Sequence, residues 1–538
     1  MKADYILKSR AVFTGKSDKP FPGGVAVKGN KIIRVLEEKE AESYEADKVI
    51  DYGERLIMPG FVDAHVHYFM GAVSASDHVC TEIAESTSEE NCVEMMKSYA
   101  AAHPDEKRLL GIGWFPANWN DAPLPSKKSL DEAFPDKPVY LIAADVHTLW
   151  MNTRALEESG ITPDMKPRSG SVGVDENGEL TGLLFEPDAF APAMVKVQDF
   201  ERDKMIEINE AFLKHIAECG VTSISEMSAD PYDDAVFQKY CAMKEMEEQG
   251  KLTARLHIYT ELAGHTDFSK AQEWQSALYS EKLRLNGVKG FIDGVTSTFT
   301  GLLLEPYSDN PQTKGIGVPN IPKEEMQASV IAANKEGLPV RIHCIADGSV
   351  RMALDMYEAS CKVNGKDGAV NTVEHIENIH PDDIPRFKEL GVIPSMQPYH
   401  LTLDFMEKPR RIGEQRCRWE WPHRSLLDAG ATLAFGTDYP VVDFNPYPTI
   451  YAAVTRLDDD GNPASTNPQE CITLAETLKA YTAGAAAAYG RNDIGTLEEG
   501  KLADIIVVNR NLFDIEPAEI LGCETVMTMF DGEIVYEK

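Results

Sequence analysis

Eight apolar runs of strand type, separated by helical stretches, constrain this 538-residue chain more than any other feature. They lie at residues 61–65, 221–226, 255–259, 287–292, 340–343, 371–375, 392–396 and 432–438, with helical stretches such as 204–219 and 323–336 between them. Strands that alternate with helices build parallel sheets. Eight such units predict an α/β protein with a (β/α)8 barrel, whose site lies at the C-terminal ends of the strands. The gap between the first and second runs is far longer than an ordinary strand–helix loop. This insertion, about residues 68–203, carries its own strand-like run at 138–143 and is read as a subdomain over the barrel mouth.

Both ends of the chain have another texture. Residues 1–57 and 491–538 are short strand-like runs with turn signals at Gly23-Gly24, Gly29-Asn30 and Asp531-Gly532. They are expected to meet in one small β-sandwich domain beside a hydrolase barrel spanning 58–490. Charge removes two classes of partner. Lys plus Arg number 53 against 87 Asp plus Glu, a formal charge of −34, so the basic footprint that nucleic acid or an anionic membrane surface requires is missing. Nine scattered cysteines with no Cys-x-x-Cys fit free thiols in a reducing compartment. No run approaches the roughly 18 apolar residues of a membrane span, and the N-terminus lacks an apolar signal core. A cytoplasmic location is the expectation.

The strand ends carry the chemistry. The first run ends in His65-Val-His67, and two residues spaced by two on a strand face the same side. Lys289 lies on the fourth run, His343 ends the fifth, His375 the sixth and Asp438 the eighth. Any one of these histidines reads equally well as a core or capping residue. Imidazoles and a carboxylate at successive strand ends of a barrel together read as a divalent-metal centre. Lys289 is the odd member, because an ammonium repels a cation. Carboxylated by CO₂ it would become an anionic bridge between two metals; unmodified, it would pair with Asp293 or Glu305. Cys344, one residue beyond His343, points away from the strand-end set and reads as packing.

On Pro59-Gly-Phe-Val-Asp-Ala-His65-Val-His67, Gly287-Val-Lys289-Gly-Phe-Ile-Asp293-Gly, His343-Cys-Ile-Ala-Asp347, Val373-Glu-His375, Met396-Gln-Pro, Phe435-Gly-Thr-Asp438-Tyr-Pro and the segment 495–504, the chain resembles the amidohydrolase superfamily. The resembling branch includes the N-substituted formamide deformylases. The resemblance implies two divalent metals, taken as zinc. His65 and His67 would hold the more buried ion with Asp438, a carboxylated Lys289 would bridge, and His343 and His375 would hold the second. Asp438 would serve as proton shuttle. One departure is Gly290, where relatives more often carry a bulkier apolar residue. Deaminases of the superfamily commonly place a glutamate three residues after the fifth-strand histidine; here that residue is Ala346, with Asp347 next. Trp114, His147 and Asn152 in the insertion are implied as substrate contacts, with Glu186 and Arg255 as weaker candidates.

The activity implied is hydrolysis of an amide-type C–N bond, N-formyl or N-acyl, in a small molecule. Cyclic imides, lactones and deaminase-type substrates are the alternatives on the same centre. A non-catalytic regulatory scaffold is the alternative from another class, and such proteins typically lose metal ligands, which this chain keeps. A homodimer is expected as the commonest symmetric assembly.

Overall fold

The eight apolar runs become eight parallel strands: Phe61–Val62, Val221–Ala229, Arg255–Glu261, Leu283–Phe291, Val340–Cys344, Thr372–His375, Ile393–Met396 and Ala434–Phe435. Each pairs with its successor, in registers such as Lys289 opposite Arg341 and His343 opposite Glu374. The last strand meets the first. The Ala64 N–H donates to the Phe435 carbonyl at 3.0 Å, Asp438 N–H to the His65 carbonyl at 2.7 Å, and His67 N–H to the Tyr439 carbonyl at 3.0 Å. The computed structural model describes residues 2–119, 123–144, 146–167, 170–229, 233–262, 264–317, 321–366, 368–403 and 405–538.

The strand interiors explain why these segments fold so. Val340–Cys344 is buried at every residue, as a strand covered on both faces must be. Its apolar members pack outward against helices. Arg341 instead lies inside the barrel, fully buried, donating to the carbonyls of Ala64 at 2.7 Å and Ala488 at 3.1 Å. Its guanidinium also stacks over the rings of Tyr259 and Tyr489, at 4.5 and 5.0 Å. The helix Asp347–Asn364 buries Val350, Ala353, Leu354 and Tyr357, the i, i+3, i+4, i+7 stripe of a core-facing helix. The Tyr357 hydroxyl then donates to the carbonyls of Val340 and Thr372, pinning that helix to the fifth and sixth strands.

The two chain ends build one further sheet. Its order runs Glu533–Glu537, Thr525–Phe530, Ile505–Val508, Leu56–Pro59, Ala3–Val12, Phe21–Lys28 and Lys31–Glu37, with Ala46–Asp51 also paired to Ala3–Val12. Ile505–Val508 lies antiparallel to Leu56–Pro59, which joins the termini. Asp531 and Gly532 hold φ of +52° and +84°, the left-handed pair a two-residue hairpin turn requires. Gly23-Gly24 does not form the expected turn. Both residues sit inside Phe21–Lys28, where a side chain at Gly23 would strike the Leu36 carbonyl of the neighbouring strand.

Arg255, weighed above as a substrate contact, opens the third barrel strand, at the end away from the C-terminal face. It is fully buried and paired with Asp504 at 3.0 Å and Asp531 at 3.2 Å. It braces the barrel against the terminal sheet. Those two sheets fall in one compact unit, made of Met1–Tyr68, Leu213–Gly317 and Pro322–Lys538.

The second unit is essentially Phe69–Phe212. It has its own sheet, Leu109–Trp114, Val139–Ala143, Thr148–Met151, Leu180–Phe185 and Ser171–Val174 in spatial order. Its own apolar cores include one around Trp114, Trp119 and Trp150. Among the described residues, no helix is long and apolar enough to cross a membrane.

Candidate metal centre

The C-terminal ends of the barrel strands gather imidazoles around one carboxylate. Asp438 Oδ1 lies 3.5 Å from His65 Nε2 and 3.3 Å from His67 Nε2. Its other oxygen is 3.9 Å from His375 Nδ1. The His375 ring is 4.9 Å from that of His65 and 4.3 Å from that of His343. A fifth imidazole, His400, comes from the turn Pro398–Thr402 after the seventh strand. It stacks on His375 at 6.4 Å and 14°, and its Nε2–H donates to the Thr437 carbonyl at 3.1 Å. Two groups that share Asp438 result: His65, His67 and Asp438, and His375, His400 and Asp438. Within each, the ligand atoms lie within 4.8 Å of one another.

Buried neighbours fix these side chains. Asp63, two residues before His65, accepts the N–H of His65 and the N–H and hydroxyl of Thr437, so one carboxylate ties the first strand to the eighth. The Tyr481 hydroxyl donates to it as well, at 3.1 Å. His65 Nδ1 donates to Glu374 Oε2 at 2.6 Å, and Glu374 also takes contacts from Arg341 at 3.4 Å and from the Thr372 hydroxyl. His375 Nδ1 donates to Gln397 Oε1 at 2.8 Å.

The electrostatics follow from burial. Loss of solvent, then the Lys289 charge, drives the His65 imidazole down to about 4 against the pull of Asp438 and Glu374. Burial, then His343, holds His375 well below the usual imidazole range. Burial alone would raise Asp438, but the imidazoles of His65, His67 and His375 hold it well below the usual carboxylate range. Glu374 behaves likewise: burial opposes, while Arg341 and His65 hold it at about 2. Burial brings the Lys289 ammonium down to about 8. His65 and His375 are therefore neutral imidazoles facing an ionised carboxylate, the donor chemistry a divalent ion takes.

Unmet polar atoms supply an independent test of fit. His65 Nε2, His375 Nε2, Lys289 Nζ and Asp438 Oδ1 are buried with no hydrogen-bond partner among the described residues. Orphaned buried polar atoms are rare, and several converging on one carboxylate mark a place for an ion. The residues present fit a divalent metal.

The structure places the sequence-predicted residues unevenly. His65, His67, His375 and Asp438 stand in the two three-residue groups. His343 stands beside His375, with Nε2 4.0 Å from Asp293 Oδ1, rather than inside either group. Lys289 is buried with Nζ 4.5 Å over the Phe291 ring, so it does not make the ordinary ion pair with Asp293 or Glu305. Cys344 is fully buried, and burial pushes its thiol well above the ordinary range.

In the insertion, Trp114 is 1% exposed, packed on Trp119 and Trp150, and its Nε1–H donates to the Leu141 carbonyl. Asn152 is fully buried. It caps the helix Thr153–Glu158 and bonds the Val139 amide and the Phe134 and Lys137 carbonyls. These two side chains spend their polar atoms inside their own unit. His147 is paired through Nδ1 with Glu186 Oε2 at 2.6 Å. Sequence reasoning assigned no role to His400, Glu374 or Gln397. His400 carried the same signal as the others, a histidine after a barrel strand, but four residues beyond the strand's end.

The amidohydrolase family model matches residues 48–536. Protein LONG AFTER FAR-RED 3 of Arabidopsis thaliana is 29% identical over 99% of this chain and 92% of its own length. The N-substituted formamide deformylase of Arthrobacter pascens is 25% identical over 96% of this chain and 95% of its own. Among solved structures, an uncharacterized metal-dependent hydrolase of Pyrococcus horikoshii superposes with a TM-score of 0.77. It is 25% identical and covers 95% of this chain and 99% of that one.

Proposed function

Because the chain belongs to the amidohydrolase family and is a metal-dependent hydrolase acting on carbon–nitrogen bonds, we propose that it cleaves an N-formyl or N-acyl amide of a small molecule. The observation that carries this reading is the pair of histidine groups sharing Asp438, in which His65 Nε2, His375 Nε2 and Asp438 Oδ1 are buried with no hydrogen-bond partner among the described residues. The full-length likeness to a formamide deformylase supports the substrate class.

His65, His67 and Asp438 would hold one zinc ion, and His375 with His343 or His400 a second. Lys289 would bridge as its carbamate. Its support is an amine that burial brings to about 8, close enough to neutrality to attack CO₂ and release a proton. Metal bound here supplies a water acidified toward neutral pH and a Lewis acid for the scissile carbonyl. Asp438, ionised and set between the histidines, takes the proton of the attacking water. It then gives that proton to the leaving nitrogen as the C–N bond breaks and the new C–O bond remains. Position 346 is alanine, and the Asp347 carboxylate is engaged by the Leu304 N–H at 3.0 Å, which favours amide cleavage over ring deamination.

A panel of N-formyl and N-acyl amines tests the reading, with metal content measured on the same protein. Wild type should carry about two zinc ions by this reading. Asp438→Asn should lower turnover by about 10²–10⁴-fold with the fold intact, the range of a lost general acid–base. Full activity in that variant, or wild-type protein that takes up no metal, overturns the proposal.

A further inference from the structure

We propose that the two metal positions sharing Asp438 are unequal, and that Glu374 makes the His65–His67 position the tighter one. The inference rests on the metal-centre reading above and adds a cause that none of the ligands themselves supplies.

The groups standing behind the two positions differ in charge. Behind His65 stands a carboxylate, with Glu374 Oε2 2.6 Å from Nδ1. An ionised carboxylate only accepts, so Nδ1 keeps the proton and Nε2 keeps the lone pair. Behind His375 stands an amide, with Gln397 Oε1 2.8 Å from Nδ1. His400, the other imidazole of that group, is held by the Thr437 carbonyl. The group hydrogen-bonded to His65 Nδ1 therefore carries a full negative charge, whereas those hydrogen-bonded to His375 and His400 are dipoles; the carboxylate of Asp293 lies farther off, 4.0 Å from His343 Nε2. Glu374, Arg341 and Gln397 are all fully buried, so solvent does not level the difference.

Arg341 could be thought to cancel Glu374. Its Nη1 reaches Oε1 at 3.4 Å, while the oxygen facing His65 is the other one. Two backbone carbonyls and two aromatic rings share the guanidinium charge. The guanidinium and the Thr372 hydroxyl thus keep the carboxylate ionised and aimed, without taking the oxygen that serves His65. Partners of this kind typically govern about 10–100-fold in metal affinity.

Zinc titration of the metal-stripped full-length chain against a chromophoric chelator tests this, and turnover is not needed. Wild type should fill in two steps, the first at least about tenfold tighter. Glu374→Gln keeps the side chain's shape and removes its charge; the first step should weaken by about 10–100-fold toward the second. Gln397→Glu should tighten the second step by a similar factor. That variant leaves Arg341 paired, so it decides the question even where Glu374→Gln fails to fold. A single wild-type step that Glu374→Gln weakens, with a second step emerging in Gln397→Glu, is the same inequality at its extreme. Two wild-type steps of equal affinity, or a second step unmoved by Gln397→Glu, overturn the inference. Wild type that binds no zinc overturns the metal centre itself, a separate failure.

Discussion

At the scale of single residues, the centre is held by backbone that most side chains avoid. His375, Ile376 and Asp438 have φ of +74°, +53° and +61°. Such conformations cost about 1–3 kcal/mol each and persist where the surroundings over-determine them. Here the Ile376 N–H is taken by the Cys344 carbonyl and the Asp438 N–H by that of His65. Gly436 is part of the same clamp. A Cβ there would lie 2.6 Å from the His65 nitrogen and against the Asp63 carboxylate. Gly436→Ala should therefore destabilise by about 1–3 kcal/mol, as overpacking does, and reduce zinc uptake; denaturant unfolding and metal analysis read the two effects. Normal values for both would mean that the eighth strand can shift without disturbing Asp438. Gly290 poses the opposite case. The nearest atoms a Cβ there would meet belong to the Leu262 side chain, 2.9 Å from Cδ2, and a leucine terminus can turn aside. Gly290→Ala should keep its metal and lose less than about 1.5 kcal/mol. The smaller residue at this position is thus read as matched to Leu262, and a large loss of metal in the variant would refute that.

At the scale of elements, what could be read from sequence was what periodicity controls. All eight barrel strands were legible because each is an apolar run bounded by helix or turn, and the strand-end histidines came with them. Glu374 was not, for a definite reason. Neighbours on a regular strand face opposite ways, so a ligand at His375 should send Glu374 outward. The left-handed His375 breaks that alternation, and both side chains turn toward His65. Asn152 differs in the other direction: the resemblance implied a substrate contact, whereas its amide makes a helix cap and three further backbone bonds. Those bonds make a discriminating prediction. Asn152→Ala should destabilise the insertion by about 1–3 kcal/mol, the penalty for buried backbone groups left unmet, with zinc content and KM unchanged. A raised KM in a protein of normal stability would restore the substrate-contact role.

At the scale of the whole molecule, the strand-rich ends and the long insertion were visible as changes of texture, but the grouping of the chain was not. Terminal sheet and barrel share one compact unit because Arg255, Asp504 and Asp531 knit them, charges far apart in sequence that no local pattern joins. The insertion forms a second unit with its own sheet and cores. All proposed metal ligands belong to the first unit, so metal should stabilise the two unequally. Ligand bound only by the folded state adds about 4 kcal/mol at a thousandfold excess over its dissociation constant. That linkage should act on the barrel, where metal would join side chains at the ends of strands one, five, six and eight. Hydrogen exchange with zinc and with chelator reads this strand by strand. Zinc should slow exchange in Val340–Cys344 and Thr372–His375, and leave Leu109–Trp114 and Val139–Ala143 as they are in chelator. Equal slowing in both sheets would mean that the two units open together, and the insertion's separate cores would then not amount to separate stability.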